Sequence, residues 1–435
     1  MIFDAHPAVY QPEKRMKDVI GMPAFQTVQC LIVLLLALYM HDASAEKRNV
    51  QPSKPAAVAA VPTPPAVVRI ETVLAAGGAH TLLLQSDGSL WGWGSNEDGQ
   101  LAAGNDAELA ALGIADTASK YLPMRIGTSY VAVSAGDKHT LAIKPDGSLW
   151  AWGSNRKGQI GDGTDKTRYR PVLVGQGFVK ATAGSHSSFA IKADGSLWAW
   201  GQNDFGQLGD GSKVDRSEPV LIGNGYASVA TGFVHTVALK PDGSLWAWGD
   251  NEVGQHGDGT TIPRDSQTQR WSPVHVGDGY KEIAAEGLFT MALKSDGSLW
   301  AWGNNNHGRV GDGSEAPRTS PVKVGEGFVR VAAGSHVLAL KADGSLWSWG
   351  YNGNGQLGDG TKDRNRKSPA QIGSDFKAIA TGGYHSVAVK KDDSVWAWGN
   401  SWNAVLGDRS NTDRYLPGPV VLPLPASSAG RPDNR

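Results

Sequence analysis

The sequence predicts an all-β protein, a seven-bladed β-propeller of four-stranded antiparallel blades. Three observations predict it. A phrase made of a hydrophobic residue, Trp, a small residue, Trp and Gly returns seven times, at Trp91/Trp93, Trp150/Trp152, Trp198/Trp200, Trp246/Trp248, Trp300/Trp302, Trp347/Trp349 and Trp396/Trp398. Successive first Trp residues lie 59, 48, 48, 54, 47 and 49 positions apart, and a period near fifty marks a propeller or another repeat array. The 56 glycines recur with the same period at turns, so the high glycine content does not signal a disordered chain.

One unit, Pro171 to Gly211, shows the strands. Pro171-Val-Leu-Val174 is a short apolar strand, with Pro at a position fit for an edge, and Gly175-Gln-Gly177 turns it. Phe178 to Ala183 alternates and ends at Gly184; Ser188 to Ile191 is a third strand, closed by Asp194-Gly195-Ser196. Asp-Gly between alternating apolar runs is a strong hairpin signal because such turns need positive φ. Leu197-Trp-Ala-Trp200 is the fourth strand. In it, Leu and Ala point to one face and both Trp rings to the other. Rings of this size at this regularity read as packing between blades, in preference to carbohydrate platforms.

The ends of the chain differ from the middle. Lys14, Arg15 and Lys17 precede an apolar run from Cys30 to Met40, followed by Ala43-Ser44-Ala45. A basic region, a short apolar core and an A-x-A-like end describe a secretory signal peptide; an uncleaved anchor is the alternative. Residues 1–45 are therefore expected to be signal or anchor, 46–66 a Pro- and Ala-rich linker, 67–425 the propeller, and 426–435 a disordered tail. The expected location is secreted, periplasmic or associated with the cell envelope, with membrane contact only through an uncleaved N-terminal anchor. A net charge of -1 gives no overall field for nucleic acid. The single cysteine, Cys30, excludes disulfides elsewhere in the chain.

Gly-x-x-His, Leu-Lys-x-Asp-Gly-Ser-Leu-Trp-Ala-Trp-Gly, Asn-x-x-Gly-Gln-Leu-Gly-Asp-Gly-Thr and Pro-Val together resemble the repeats of the regulator of chromosome condensation family, over about residues 67 to 422. The resemblance implies the seven-bladed propeller. The first unit lacks a clear Pro-Val strand before Glu71, and the last runs on to Pro419-Val420-Val421-Leu422. The C-terminal strand is therefore expected to complete the first blade and close the ring, with Ala66 to Ile70 as the rival for that slot.

Strand directions place the Gly-x-x-His turns and the Trp-Gly-x-Asn loops on one face, which carries most of the variation between units. Aromatics that change from unit to unit gather there: Phe205, Phe233, Phe289, Tyr351, Tyr384 and Trp402, with Trp271 in a long late loop. Grouped aromatics on a rigid scaffold favour contact with a protein or a glycan. A cation stands three residues before each proline that opens a Pro-Val-type strand: Lys120, Arg168, Arg216, Arg270, Arg318, Arg366 and Arg414. Six units have Asp in Gly-Asp (Asp162, Asp210, Asp258, Asp312, Asp359, Asp408) and each has Arg; the unit with Ala103 has Lys120. That pairing predicts a structural Arg–carboxylate clamp inside each loop. The recurrent histidines (His80, His139, His235, His336, His385) and Asp-Gly-Ser aspartates are read as turn residues.

No G-x-S-x-G, P-loop or H-E-x-x-H pattern is present, and the acids lack EF-hand spacing. No catalytic residue, metal or cofactor is expected. The favoured reading is an exported, non-catalytic, monomeric propeller that binds a protein, as some bacterial members of the resembled family do in inhibiting β-lactamases or assembling the envelope. Two other readings stand beside it: the guanine-nucleotide exchange and chromatin binding of the family's founding member, and a propeller enzyme without a recognisable motif.

Overall fold

The computed structural model describes residues 72–103, 117–264, 266 and 270–423. The expected signal, linker and tail lie outside them. The described chain forms seven four-stranded antiparallel sheets, each built from consecutive strands. We number the blades one to seven in chain order: 73–127, 132–175, 178–223, 228–277, 280–325, 328–373 and 376–420. Within a blade the inner strand lines a central channel, and the Trp strand is third from it.

The Trp phrase cements neighbouring blades. In blade two, Leu149 and Ala151 pack under Trp200 of blade three, with Leu141, Ile143 and Ile160 completing a buried cluster. The second Trp of each phrase is fully buried, and its Nε1–H donates to a loop carbonyl of the preceding blade. Examples are Trp152 to Gln100 at 2.9 Å, Trp248 to Gln207 at 2.8 Å and Trp398 to Gln356 at 2.9 Å. The loop comes so close because a glycine lies flat on the ring: a Cβ on Gly209, whose φ is +82°, would stand 2.6 Å from Trp248 Nε1. The first Trp of a phrase donates instead to the serine of its own Asp-Gly-Ser turn, as Trp150 does to Ser148 Oγ at 2.9 Å.

The histidines do more than hold local turns. Each Nε2 reaches a hydroxyl of the next blade: His80 to Thr140 at 3.3 Å, His139 to Ser188 at 2.9 Å, His235 to Thr290 at 2.9 Å and His336 to Ser386 at 2.5 Å. Thr290 Oγ1 donates its own proton to the Gln255 carbonyl, so His235 must present Nε2–H. Burial holds these imidazoles neutral, with pKa values pushed down to about 3 for His80, His139, His235 and His336.

The Asp–Arg pairs sit in the loops as ion pairs. Asp162 Oδ2 takes both Nε and Nη2 of Arg168 at 2.5 Å, while Oδ1 accepts from the Thr164 backbone and hydroxyl. The geometry recurs closely at Asp210/Arg216 and Asp312/Arg318; Asp258/Arg270, Asp359/Arg366 and Asp408/Arg414 also pair. One carboxylate oxygen serves the guanidinium and the other serves the turn, so the contact is not the two-oxygen fork expected of Arg.

The clamp also corrects the expected phase of the blades. Arg168 stands opposite Gly153 in the ladder, so the clamp folds the outer strand Arg168–Gly175 back along the Trp strand that precedes it. Every Pro-Val strand therefore ends its own blade and does not open the next. Blade one has its own outer strand, Lys120–Gly127, paired with Leu90–Gly94. The C-terminal strand Arg414–Val420 pairs with Val395–Gly399 of blade seven and does not complete blade one. The ring closes by side-chain packing of blade seven on blade one, through Val387, Val389, Val405 and Leu406 against Leu83 and Trp93. Polar links seal it: Trp93 Nε1 donates to the Val405 carbonyl at 2.8 Å and the Gly383 amide to the Gly77 carbonyl at 3.3 Å.

Candidate partner-binding face

The Gly-x-x-His turns ring one mouth of the channel, and each Trp-Gly loop rests on a neighbouring turn. The Asn400 amide, for example, donates to the Tyr384 carbonyl at 2.9 Å, and the Asp250 amide to the Val234 carbonyl at 2.9 Å. The turns are also stitched blade to blade, with the Phe233 amide on the Gly287 carbonyl at 2.9 Å. The face is thus a rigid platform from which the irregular side chains project.

The seven aromatics expected there divide into three groups. Phe233, Tyr384 and Trp402 are 53%, 54% and 77% exposed. Phe233 and Tyr384 both line the channel mouth. Trp402 stands on a short 3-10 turn whose next residue, Asn403, has φ 56°, with the Trp402 amide held by Asn400 Oδ1 at 2.7 Å. Tyr351 is half-buried and supports Tyr384, its ring centroid 6.2 Å away, with His307 on its other side at 4.9 Å.

The remaining three serve the scaffold. Phe205 is half-buried beneath the Arg264 guanidinium, 5.0 Å from its centroid. Trp271 follows Arg270 and covers Gly206 of the preceding blade, as Tyr169 covers Gly99 and Tyr415 covers Gly355. Phe289, expected to be available to a partner, is fully buried. It fills the histidine slot of blade five and packs against Met291 and Val310, so it offers no surface.

Sequence reasoning missed Glu286, Arg309 and Asp137, which join Phe233 and Tyr384 around the mouth of a cavity of about 760 Å³. Burial pushes the Glu286 carboxyl up to about 7; the charge of Asp137 adds to the rise, while the Gly287 amide and Arg309 oppose it. Burial lowers the Arg309 pKa, and its guanidinium lies over the Phe289 ring at 5.4 Å with Nε donating to the Asn306 carbonyl at 3.2 Å. A signal existed in the repeat. Glu286 occupies the slot of Gly77, Gly136, Gly184, Gly232 and Gly382, and Arg309 the slot of Gln100, Gln159, Gln207, Gln255 and Gln356. Among the described residues no group of three or more His, Cys, Asp or Glu is placed to hold a metal ion.

Comparison with known proteins agrees with this architecture. The family described as "RCC1-like domain" matches residues 104–431, and the "Regulator of chromosome condensation (RCC1) repeat" matches 72–100. Protein RCC2 of Mus musculus is 36% identical over 89 residues, 20% of this chain and 16% of its own length. The regulator of chromosome condensation of Homo sapiens is 33% identical over 108 residues, 24% of this chain and 22% of its own length. The matched stretches thus span about a fifth of these relatives. Among solved structures, Prp20p from Saccharomyces cerevisiae, described with its binding to Gsp1p and histones, superposes with a TM-score of 0.67 at 23% identity, covering 76% of this chain and 85% of its own. That likeness concerns the fold. Since the family match extends over most of its length, the chain belongs to the RCC1-like family of β-propellers.

Proposed function

We propose that this protein is an exported, non-catalytic propeller that binds a protein partner through the irregular aromatic loops of one face. The observation that carries the reading is the trio Phe233, Tyr384 and Trp402, each more than half exposed. Large exposed rings on a rigid surface are suited to become the buried anchors of an interface. A rigid platform also keeps the ordering cost of binding low. Tyr384 and Phe233 share the channel mouth, so a partner seated there engages blades four and seven together.

Protein binding is also recorded in the names of relatives of this fold, with Kap60 bound to the yeast protein Prp20. Export is supported by the basic segment, apolar run and Ala43-Ser44-Ala45 at the N-terminus. Cell fractionation with N-terminal sequencing of the recovered chain tests the location. Pull-down with the full chain and with a Phe233→Ser, Tyr384→Ser, Trp402→Ser variant tests the face. Equal capture by both proteins rejects it.

A further inference from the structure

Blade five breaks the repeat at three places that meet in space. Glu286 replaces a turn glycine, Phe289 a histidine and Arg309 a glutamine. The other six blades close their turns without an acid at the position of Glu286, so the fold does not require one there. Glu286 is half-buried at the mouth of the channel and has no ion-pair partner among the described residues, and such a carboxyl marks a place where a ligand can supply the missing charge.

We propose that the channel mouth beside blade five binds a primary ammonium group, presented by a lysine side chain of the partner protein, with Glu286 as its counter-ion and Phe233 and Tyr384 flanking its alkyl stem. The proposal rests on the partner-binding reading above and names the chemistry of the group that docks.

Three observations favour a cation. Glu286 forms no ion pair among the described residues, although Arg309 lines the same mouth. Arg309 is already engaged, stacked on Phe289 and bonded to the Asn306 carbonyl. Asp137 adds a second negative charge to the rim, so an incoming carboxylate meets two acids against one occupied guanidinium. The exposed rings of Phe233 and Tyr384 add faces that attract a cation. A lysine stem is apolar along its length and charged only at its tip, which matches a mouth lined by both aromatic rings and an acid.

The test uses the full chain and three capped pentapeptides, Gly-Gly-X-Gly-Gly, in which X is lysine, Nε-acetyl-lysine or glutamate. Binding is measured by fluorescence anisotropy of a labelled peptide at pH 8. The lysine peptide is expected to bind about tenfold more tightly than the other two. Glu286→Gln, and Glu286→Gly, which restores the residue of the other blades, are each expected to abolish the preference. Lowering the pH to 6 is expected to weaken lysine binding about tenfold, because Glu286, with Asp137 and Arg309 as its charged neighbours, titrates at about 7 and binds only when ionised. Equal binding of lysine and acetyl-lysine, preference for glutamate, or a preference that survives both substitutions overturns the proposal. Absence of a lysine preference, together with partner capture that is lost in Trp402→Ala, overturns this site and leaves the partner-binding face standing.

Discussion

His385 of blade seven and Thr81 of blade one are hydrogen-bonded at 2.9 Å although 304 residues separate them. The same contact that joins four other pairs of neighbours, a histidine on a hydroxyl of the next blade, therefore also joins the two ends of the array. Thr81→Val removes the hydroxyl at nearly constant volume and strands a buried imidazole nitrogen. A loss of about 1–3 kcal/mol in urea unfolding is expected; unchanged stability means that this hydrogen bond does not help to hold the ends.

The buried histidines make stability depend on pH in a defined direction. The unfolded chain takes up protons at these sites near pH 6.5, whereas the folded chain does so only near 3, or near 4 for His385. The unfolded state thus binds more protons across that window, and stability falls as the pH falls from about 6.5 toward 4, by up to about 1.4 kcal/mol per unit for each histidine. Glu286 acts oppositely between about 7 and 4.5, because its folded pKa is raised, but it is one group against six, since burial also pushes His256 down to about 3. Melting temperature should drop steadily over this range. His235→Ser, which installs the residue found at Ser187, should flatten the slope; a flat profile in the parent chain contradicts the assignment.

At the blade interface, Trp248→Phe removes the indole N–H and part of the bicyclic ring, and the Gln207 carbonyl keeps the Thr236 hydroxyl as donor. A cost of about 1–2 kcal/mol is expected. Trp248→Ala should cost about 3–5 kcal/mol through the cavity it leaves. Equal losses for the two, measured by chemical denaturation, would place the value of the residue in its hydrogen bond.

Arg168→Lys keeps the charge of the clamp but cannot deliver two N–H groups to Asp162 Oδ2. It should cost about 1 kcal/mol and open the 154–168 loop to limited proteolysis ahead of the other blades. A cleavage pattern identical to that of the parent chain contradicts a clamping role.

The scaffold was legible because one strand, with two Trp residues on one face and Leu and Ala on the other, repeats with little change. The phase of the blades was not, since Gly-x-Gly before an alternating strand reads as a hairpin. In the structure Gly175 to Phe178 is the passage to the next blade, with the Phe178 amide on the Gly147 carbonyl at 3.0 Å. A cyclic array has no intrinsic first strand, and only the Asp162–Arg168 contact shows which strand the loop returns to. At the mouth, attention to aromatics found Phe233 and Tyr384 and passed over Glu286. Its signal was the absence of a glycine, which carries no periodicity of its own. Phe289 misled for the same reason, because a substitution within a buried slot looks in sequence like one on the surface.

The most direct test of the account is site-specific photo-crosslinking. A benzophenone amino acid is placed singly at Trp402 and Tyr384 on the aromatic face and at Asp242 in an Asp-Gly-Ser turn on the other. The two face positions are expected to yield the same discrete crosslinked partner by mass spectrometry, and the turn position none. A partner captured from Asp242, with none from Trp402 or Tyr384, contradicts the assignment of function to this face.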